Sequence, residues 1–290
     1  MTPNVVPGSD GAGTVLAIGR QVTRFKPGDR VITLFNQAHI GGPSDDATSA
    51  SGLGGVVDGT FRTVGAFNET GLVHMPSTLT AVEASTLTCA GLTAWNALYG
   101  LVGKQIAAGQ WVLTQGTGGV SIFGLQFAKA AGARVIATTG SSAKAEMLRK
   151  LGADHVINYK ETPNWGETAK KLTGGRGVDH IIEVAGPSSM KQSLAAIKIE
   201  GVISIIGFVG GGLTEAQPGF LECLMHQCIA RGILVGSRTQ MEDMCRAIEA
   251  HPETLKPLID AKVFPLEQLK EALQYQLSAQ HLGKVCIEIS

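Results

Sequence analysis

The stretch QGTGGVSIFG, residues 115–124, constrains the fold of this 290-residue chain more than any other. It places Gly116, Gly118 and Gly119 directly after the apolar run WVLT and directly before a second apolar segment. Glycine weakens ordinary helices and strands, so three glycines within four positions indicate a tight turn or a close backbone approach. A strand, a glycine turn and a helix in this order are the setting of a dinucleotide-binding loop.

Short apolar runs alternate with helical segments on both sides of this loop. The runs WVLTQG, RVIATTG, HVINY, HIIEVAG, VISIIGFVG and ILVGSR are expected to be strands, because continuous apolar runs are typical of strands buried on both faces. The segments between them, including SMKQSLAAIKIEG and LECLMHQCIARG, are expected to be helices. Strands that alternate with helices predict an α/β fold with a doubly wound parallel sheet, the Rossmann arrangement.

The two ends of the chain have different patterns. VLAIG, RVITLF and TFRTVGAF, separated by turn sequences, predict an antiparallel barrel or sandwich in the N-terminal part. After Arg238, two amphipathic segments and the strands KVFPLE and KVCIEIS predict a tail that returns to the N-terminal domain. The expected domains are therefore 1–86, a dinucleotide-binding domain at 87–238, and a returning segment at 239–290.

Charge and composition argue against several classes of protein. The chain has 24 basic and 24 acidic residues and no basic block, so binding to nucleic acid or to a membrane surface has no electrostatic support. No apolar run approaches the roughly 20 residues of a membrane helix, and MTPNVVPGSDG lacks the features of a signal peptide. The five cysteines form no CxxC pair, which favours a reduced, cytoplasmic protein.

The glycine loop predicts how a dinucleotide would bind. Gly116 permits the tight turn, and Gly118 lets a pyrophosphate approach the backbone beside Thr117. The N–H groups around Gly119 and Val120 would face the phosphates at the positive end of a helix. The fingerprint GxGxxG is incomplete, because its third glycine is Ser121 in this chain. The alternative is that these glycines serve only the turn between a strand and a helix.

The end of the second strand bears on the choice between NAD and NADP(H). Thr139 ends this strand, and Ser141, Ser142 and Lys144 follow it, with no acidic residue before Glu146. NAD sites place an acidic residue near this point to hold the ribose 2′-hydroxyl. Hydroxyl groups and a lysine can instead donate to a 2′-phosphate. We therefore expect NADP(H) as the cofactor, although Ser141 and Ser142 could also simply cap a helix.

These motifs together resemble a known superfamily over essentially the whole chain. QGTGGVSIFGLQFAKAAGA, LGADHVINY, TGGRGVDHIIEVAG and the terminal GKV are similar to the medium-chain dehydrogenases/reductases. PGSDGAGTV resembles their zinc-independent branch of alcohol dehydrogenases and quinone oxidoreductases. The resemblance implies a GroES-like β-barrel built from both chain ends, a Rossmann domain between them, and a cleft for nicotinamide and substrate.

The resemblance also argues against a metal site. Zinc-dependent relatives carry Gly-His-Glu where this chain has Gly8-Ser9-Asp10, and a serine side chain offers no imidazole nitrogen. Cys89 lies where those relatives place another zinc ligand. Residues 36–60 contain no cysteine for a structural zinc lobe. We expect no zinc.

Further cofactor contacts are implied only by the resemblance. Tyr159 would flank the 2′-phosphate together with Ser141 and Lys144. The remaining positions would lie near the nicotinamide or its ribose: Thr93, Phe208, Val235, Ser237 and Lys284. The alternative is that each of these residues only packs or caps.

The expected function is hydride transfer between NADP(H) and an alcohol or carbonyl, or an enone or quinone. No catalytic residue is assigned. Relatives have several dozen residues before PGSDGAG, so we expect an incomplete barrel. A non-catalytic NADPH-binding fragment and a dimeric assembly protein are therefore alternatives. A homodimer that pairs through ILVGSR is expected.

Overall fold

The computed structural model describes residues 2–211 and 217–289, and the chain divides into two compact units. One unit comprises Met1–Leu92 together with Val235–Ser290, and the other comprises Thr93–Leu234. The predicted Rossmann range, 87–238, encloses the second unit. No helix in the described ranges is long and apolar enough to cross a lipid bilayer.

The N-terminal part of the first unit contains a small antiparallel sheet. Its strands lie side by side in chain order: β1 (Ala12–Thr14), β2 (Arg30–Thr33) and β3 (Leu72–His74). The helices of this part are α1 (Asp46–Ser49) and α2 (Ala81–Ser85), and a π-helical turn at Leu87–Gly91 leads into α3 (Leu92–Tyr99). The start of α2 is fixed by a capping box in which Thr80 and Glu83 exchange hydrogen bonds.

Two of the predicted N-terminal strands are wrong. Residues 60–67, TFRTVGAF, contain no strand, and the strand near VLAIG ends at Thr14 instead of including residues 15–19. The start of this segment is held by single backbone bonds instead of a regular ladder, since Thr60 N–H donates to the carbonyl of Gly8 and Phe61 N–H to that of Pro7. The β-branched composition indicated extended chain but not whether a ladder partner is present.

The second unit is built on a six-stranded parallel sheet, as predicted. Its strands are β4 (Trp111–Gln115), β5 (Arg134–Thr139), β6 (His155–Asn158), β7 (Val178–Glu183), β8 (Ile197–Ile205) and β9 (Ile229–Gly232). They are ordered β6-β5-β4-β7-β8-β9, and every neighbouring pair is parallel. This is the doubly wound order, in which the chain works outward from β4 first to one edge and then to the other.

Helices connect these strands. They are α4 (Gly119–Ala130), α5 (Ser142–Lys150), α6 (Trp165–Leu172), α7 (Pro187–Ala196) and α8 (Leu221–His226). Trp111, Ile181 and Ile203 of the sheet form a buried cluster with Trp165 of α6 and Leu194 of α7. The apolar strands therefore pack against helices, which is why they show no polar alternation.

The last part of the sheet differs from the prediction. The edge strand is β9 at 229–232 rather than ILVGSR at 233–238, and β8 begins at Ile197 rather than after residue 201. Gln227 explains the first difference, because its left-handed conformation, with φ of 47°, ends α8 and turns the chain into β9. Val235 has a φ of 54°, which an extended strand does not accommodate.

The C-terminal segment completes the first unit. It contains α9 (Arg238–Ala250), β10 (Ile259–Pro265), α10 (Leu269–Leu277) and β11 (Lys284–Glu288), with β10 and β11 in parallel pairing. Within this unit α9 contacts β3, and β11 contacts α2. Segments from both chain ends are thereby packed together.

Candidate cofactor site

The sheet of the second unit reverses its winding direction beside β4. The chain runs from β4 to β5 on one side, whereas β7 lies on the other side of β4. In such sheets the crevice for a ligand lies outside the carboxyl ends of the strands at this switch point. The glycine loop begins at that end of β4.

Gly116 and Gly118 leave open space above the loop. Gly116 has a φ of 77°, and its N–H donates to the carbonyl of Thr138, 2.7 Å away, at the end of β5. A side chain there would be strained in this left-handed conformation. Apart from the adjacent residues, no described atom lies within 4 Å of the position that a Cβ would occupy on Gly116 or on Gly118. The backbone at both positions is therefore accessible to a ligand.

The helix that follows the loop has an N-terminus without a side-chain cap. Gly118 is the N-cap residue of the twelve-residue α4, with φ of −75° and ψ of 167°, and no described side chain caps this end. The first N–H groups of a helix have no partner within the helix, and the helix dipole is positive there. An anion placed over Gly118 would meet both features, so the loop fits the pyrophosphate of a dinucleotide.

Ser121, which replaces the third glycine of the fingerprint, stabilises the loop instead. It is buried, and its hydroxyl donates to the carbonyl of Gln115, 2.5 Å away, at the end of β4. The close approach of helix and strand occurs at Gly124, where a Cβ would lie 2.2 Å from Cδ1 of Ile182. The sequence analysis did not single out Gly124, although its place one turn into an apolar helix was a signal.

A buried carboxylate beside the loop was also missed. Glu183, at the end of β7, is fully buried. It accepts hydrogen bonds from the amide of Gln115 (2.7 Å), the hydroxyl groups of Ser189 (2.5 Å) and Ser193, and the N–H groups of Ala185 and Gly186. The amide oxygen of Gln115, Oε1, accepts hydrogen bonds from the N–H groups of Val184 and Ala185. This network joins the ends of β4 and β7, and the acid within the apolar run HIIEVAG was its only signal.

The predicted 2′-phosphate residues gather at the end of β5. Ser141 is the N-cap residue of α5, and its hydroxyl accepts from the N–H of Lys144. The hydroxyl of Thr139 accepts from the N–H of Ser141, 3.2 Å away. The Tyr159 phenol lies against the same turn, since a Cβ on Gly140 would be 2.5 Å from its oxygen. The structure therefore brings Thr139, Ser141, Lys144 and Tyr159 together.

Ser142 contacts an acidic residue that the sequence analysis did not consider. Its hydroxyl donates to a carboxylate oxygen of Glu161, 3.4 Å away, and the amide of Asn158 donates to the same oxygen at 2.5 Å. Glu161 follows β6 and is 19 residues from Ser142 in the sequence. A search for an acid directly after β5 could not find this residue.

The other expected contacts are distributed over both units. In the second unit Thr93 is buried, and Phe208 is 76% exposed beside the turn that contains Gly186. In the first unit Val235 is buried and Ser237 caps α9 through a capping box with Gln240. These positions remain expectations as cofactor contacts.

Lys284, also in the first unit, forms an ion pair with Asp10. Its Nζ lies 3.2 Å from Oδ2 of Asp10, and the hydroxyl of Ser9 donates to Oδ1 at 2.6 Å. The Asp10 carboxylate is the main cause that raises the pKa of Lys284, which keeps the ammonium charged. Both oxygens of Asp10 are thus occupied by side chains of this chain.

The residues at the zinc positions of the relatives do not fit a metal. Ser9 supplies a hydroxyl instead of an imidazole, and Asp10 is engaged as described. Cys89 lies close enough to Lys284 to influence its pKa, which places an ammonium near this thiol. Among the described residues, no group of three or more histidine, cysteine or acidic side chains is arranged to hold a metal ion.

Family models match most of the chain. Residues 1–77 match the alcohol dehydrogenase GroES-like domain, and residues 119–250 match the family described as zinc-binding dehydrogenase. A zinc-type alcohol dehydrogenase-like protein of Schizosaccharomyces pombe is 45% identical over 98% of this chain and 82% of its own length. A chloroplastic quinone oxidoreductase of Triphysaria versicolor is 31% identical over 98% of this chain and 79% of its own length.

Solved structures agree with these matches. A structure from Sinorhizobium meliloti 1021 that carries the name alcohol dehydrogenase is 42% identical, with a TM-score of 0.86 over 99% of this chain and 83% of the other. An NAD-dependent alcohol dehydrogenase is 29% identical, with a TM-score of 0.86 over 100% and 84%. A 2-octenoyl-CoA carboxylase reductase in complex with NADP is 26% identical, with a TM-score of 0.84 over 98% and 68%.

The fold and the relatives define a nicotinamide-dependent dehydrogenase. The chain belongs to the medium-chain dehydrogenase/reductase superfamily, within the family of alcohol dehydrogenases and quinone oxidoreductases.

Proposed function

We propose that this protein is an NADP(H)-dependent oxidoreductase that transfers hydride between the nicotinamide and an alcohol or carbonyl, or an enone or quinone. The observation that carries the proposal is the open glycine loop at the switch point of the sheet, where Gly118 leaves room over an uncapped helix N-terminus. The bound cofactor would supply the hydride. The N–H groups of the first turn of α4 would hold its pyrophosphate.

The preference for NADP(H) is supported by the cluster at the end of β5. Ser141 and Tyr159 place hydroxyl groups at one turn, and Lys144 follows in the first turn of α5. Charged donors such as lysine bind a phosphate group more strongly than a hydroxyl group. Glu161 opposes this preference, because its carboxylate lies beside Ser142 at the same turn. We expect the protein to bind NADP(H) more tightly than NAD(H), and we expect Glu161 to reduce the difference in affinity between the two cofactors.

We propose that the reaction needs no zinc. This is supported by Ser9 at a ligand position and by the Asp10–Lys284 ion pair. No side chain is assigned as the proton donor, and water is proposed to supply the proton when a carbonyl is reduced.

Binding and turnover measured together test the function. The purified chain would be titrated with NADPH and NADH by fluorescence, and NADPH oxidation would be followed with quinones, enones and aldehydes, with and without a metal chelator. We expect tighter binding of NADPH and turnover that the chelator does not change. Binding without turnover on every substrate class would refute the catalytic proposal, and loss of turnover with the chelator would refute zinc independence.

Replacement of Lys144 by alanine is expected to weaken NADPH binding by about ten- to a hundredfold, since a charge-assisted hydrogen bond contributes roughly 1.5–3 kcal/mol. NADH binding should change little, because NADH carries no 2′-phosphate. The matched control is Lys150→Ala, at the last turn of the same helix. Glu161→Gln should act in the opposite direction and tighten NADPH binding. Equal losses for both cofactors in Lys144→Ala would contradict the assigned role.

We also propose that two copies associate along the edge strand β9. This strand pairs only with β8 among the described strands, and the neighbouring segment exposes large apolar side chains: Phe220 (97%), Leu221 (69%), Leu224 (68%) and Met225 (70%). Exposed strand edges and contiguous apolar surface are typical of association sites. Sedimentation equilibrium should give the mass of a dimer, and a monomer at micromolar concentration would refute this proposal.

A further inference from the structure

Helix α8 ends in a motif that fixes the positions of two cysteines. Gln227 is left-handed, its N–H donates to the carbonyl of Leu224 (3.1 Å), and the N–H of Cys228 donates to the carbonyl of Cys223 (3.0 Å). This pair of bonds defines a Schellman motif, in which the first and the last of six residues, here 223 and 228, are brought into contact. In this chain both of those residues are cysteines.

The backbone bond places the two thiols near each other. Burial, followed by the influence of Cys223, raises the pKa of Cys228 to about 11. Cys228 packs against the buried cluster of the sheet, and both cysteines are partly accessible. The pair therefore lies on the inner side of the end of α8.

We propose that Cys223 and Cys228 are a dithiol modification site that is oxidised to an intrachain disulfide by low-molecular-weight disulfides. The backbone bond between the two residues holds their Cα atoms near each other, as a disulfide requires. Both cysteines belong to one turn, so the bond would close within that turn. The proposal is independent of the hydride-transfer function, and it concerns the chain before association along β9, which would cover this segment.

The chemistry proceeds by thiol–disulfide exchange. The thiolate of Cys223 attacks one sulfur of the small disulfide, breaks its S–S bond, and releases one small thiol. The thiol of Cys228, which burial keeps protonated at neutral pH, then loses its proton and attacks the sulfur of Cys223. The new S–S bond releases the second small thiol. Two protein thiols are thereby oxidised and one small disulfide is reduced to two thiols.

Two other cysteines provide an internal comparison. Cys245 and Cys286 are buried, and burial raises their pKa values to about 12 and about 11. Neither lies in a turn that contains a second cysteine. The pKa values of Cys228 and Cys286 are both about 11, so thiol acidity alone would make these two cysteines react equally.

The test uses the native protein in buffers of graded oxidised and reduced glutathione, followed by alkylation and peptide mass spectrometry. We expect a peptide linked through Cys223 and Cys228, with a mass lower by two hydrogen atoms. It should form at a concentration of oxidised glutathione about tenfold lower than the concentration that modifies Cys245 or Cys286. In Cys228→Ala, Cys223 should keep the mixed disulfide with glutathione, because the second exchange step is missing. In Cys223→Ala, Cys228 should stay unmodified.

A trivalent arsenical, which binds two neighbouring thiols, provides a second readout. Phenylarsine oxide should protect both cysteines of the native protein from alkylation, and it should protect neither single variant. Thermal unfolding would establish that each variant is folded. The proposal is overturned if Cys223 accumulates the mixed disulfide in the native protein without forming the link, or if both thiols remain alkylatable when Cys245 and Cys286 react.

Discussion

Replacing Glu183 with alanine is expected to lower the free energy of unfolding by roughly 3 kcal/mol or more. The carboxylate is fully buried and accepts bonds from two serine hydroxyl groups, from Gln115 and from two backbone N–H groups. Its removal leaves these donors buried without an acceptor, and each unsatisfied group costs about 1–3 kcal/mol. Chemical denaturation monitored by fluorescence would measure the change.

The control for this variant is Glu146→Ala. Glu146 is exposed on α5 and forms an exposed ion pair with Arg149 one turn away, at 3.6 Å, so its loss should change stability by less than about 0.5 kcal/mol. A loss below about 1 kcal/mol in Glu183→Ala would mean that water replaces the carboxylate in the network. In that case Glu183 would not fix the turn between β7 and α7.

Replacing Gly118 with valine is expected to abolish measurable NADPH binding while the protein remains folded. The φ and ψ of Gly118 are those of extended chain, which valine adopts readily. In the part of the chain that the structure describes, no atom beyond the adjacent residues lies within 4 Å of the new Cβ. Stability should therefore change by less than about 1 kcal/mol. The added side chain would occupy the space that the pyrophosphate needs above the helix N-terminus. Fluorescence titration with NADPH and thermal unfolding would measure the two quantities.

Gly124→Ala is the matched comparison, and its expected result is the reverse. The new methyl group would lie 2.2 Å from Cδ1 of Ile182, which is fully buried, and overpacking of this kind costs roughly 1–3 kcal/mol. The folded protein should still bind NADPH, because Gly124 lies one turn beyond the loop. If Gly118→Val binds NADPH as tightly as the unaltered protein, the pyrophosphate does not lie over this loop.

The sequence determined the architecture of the second unit. Continuous apolar runs such as WVLTQ and RVIATT, each separated by a helical segment, allow only a parallel sheet covered by helices, because both faces of each strand must be buried. The loop at Gly116 and Gly118 could also be predicted from the sequence, since the conformation of a tight turn depends on residues next to one another in the chain. These predictions depend on local periodicity and on the conformations open to glycine, and neither property requires knowledge of contacts between distant residues.

The edge strand could not be placed in this way. ILVGSR and CIARG have similar apolar character, and the choice between them depended on the left-handed residue Gln227. A non-glycine residue rarely adopts this conformation, so the sequence carried no signal for it. The tertiary structure decided which segment pairs with β8.

Only the tertiary structure revealed the polar networks. Glu183 meets Gln115 across 68 residues, Glu161 meets Ser142 across 19, and Lys284 meets Asp10 across 274. Periodicity reports which face of an element is buried, but it does not report which charged or polar groups from separate elements lie opposite each other. A buried polar group must find its partner wherever the fold brings one, and that pairing is fixed by the packing of the elements. For this protein, the sequence predicted the loop at which a dinucleotide would bind, and the fold determined which side chains surround that loop.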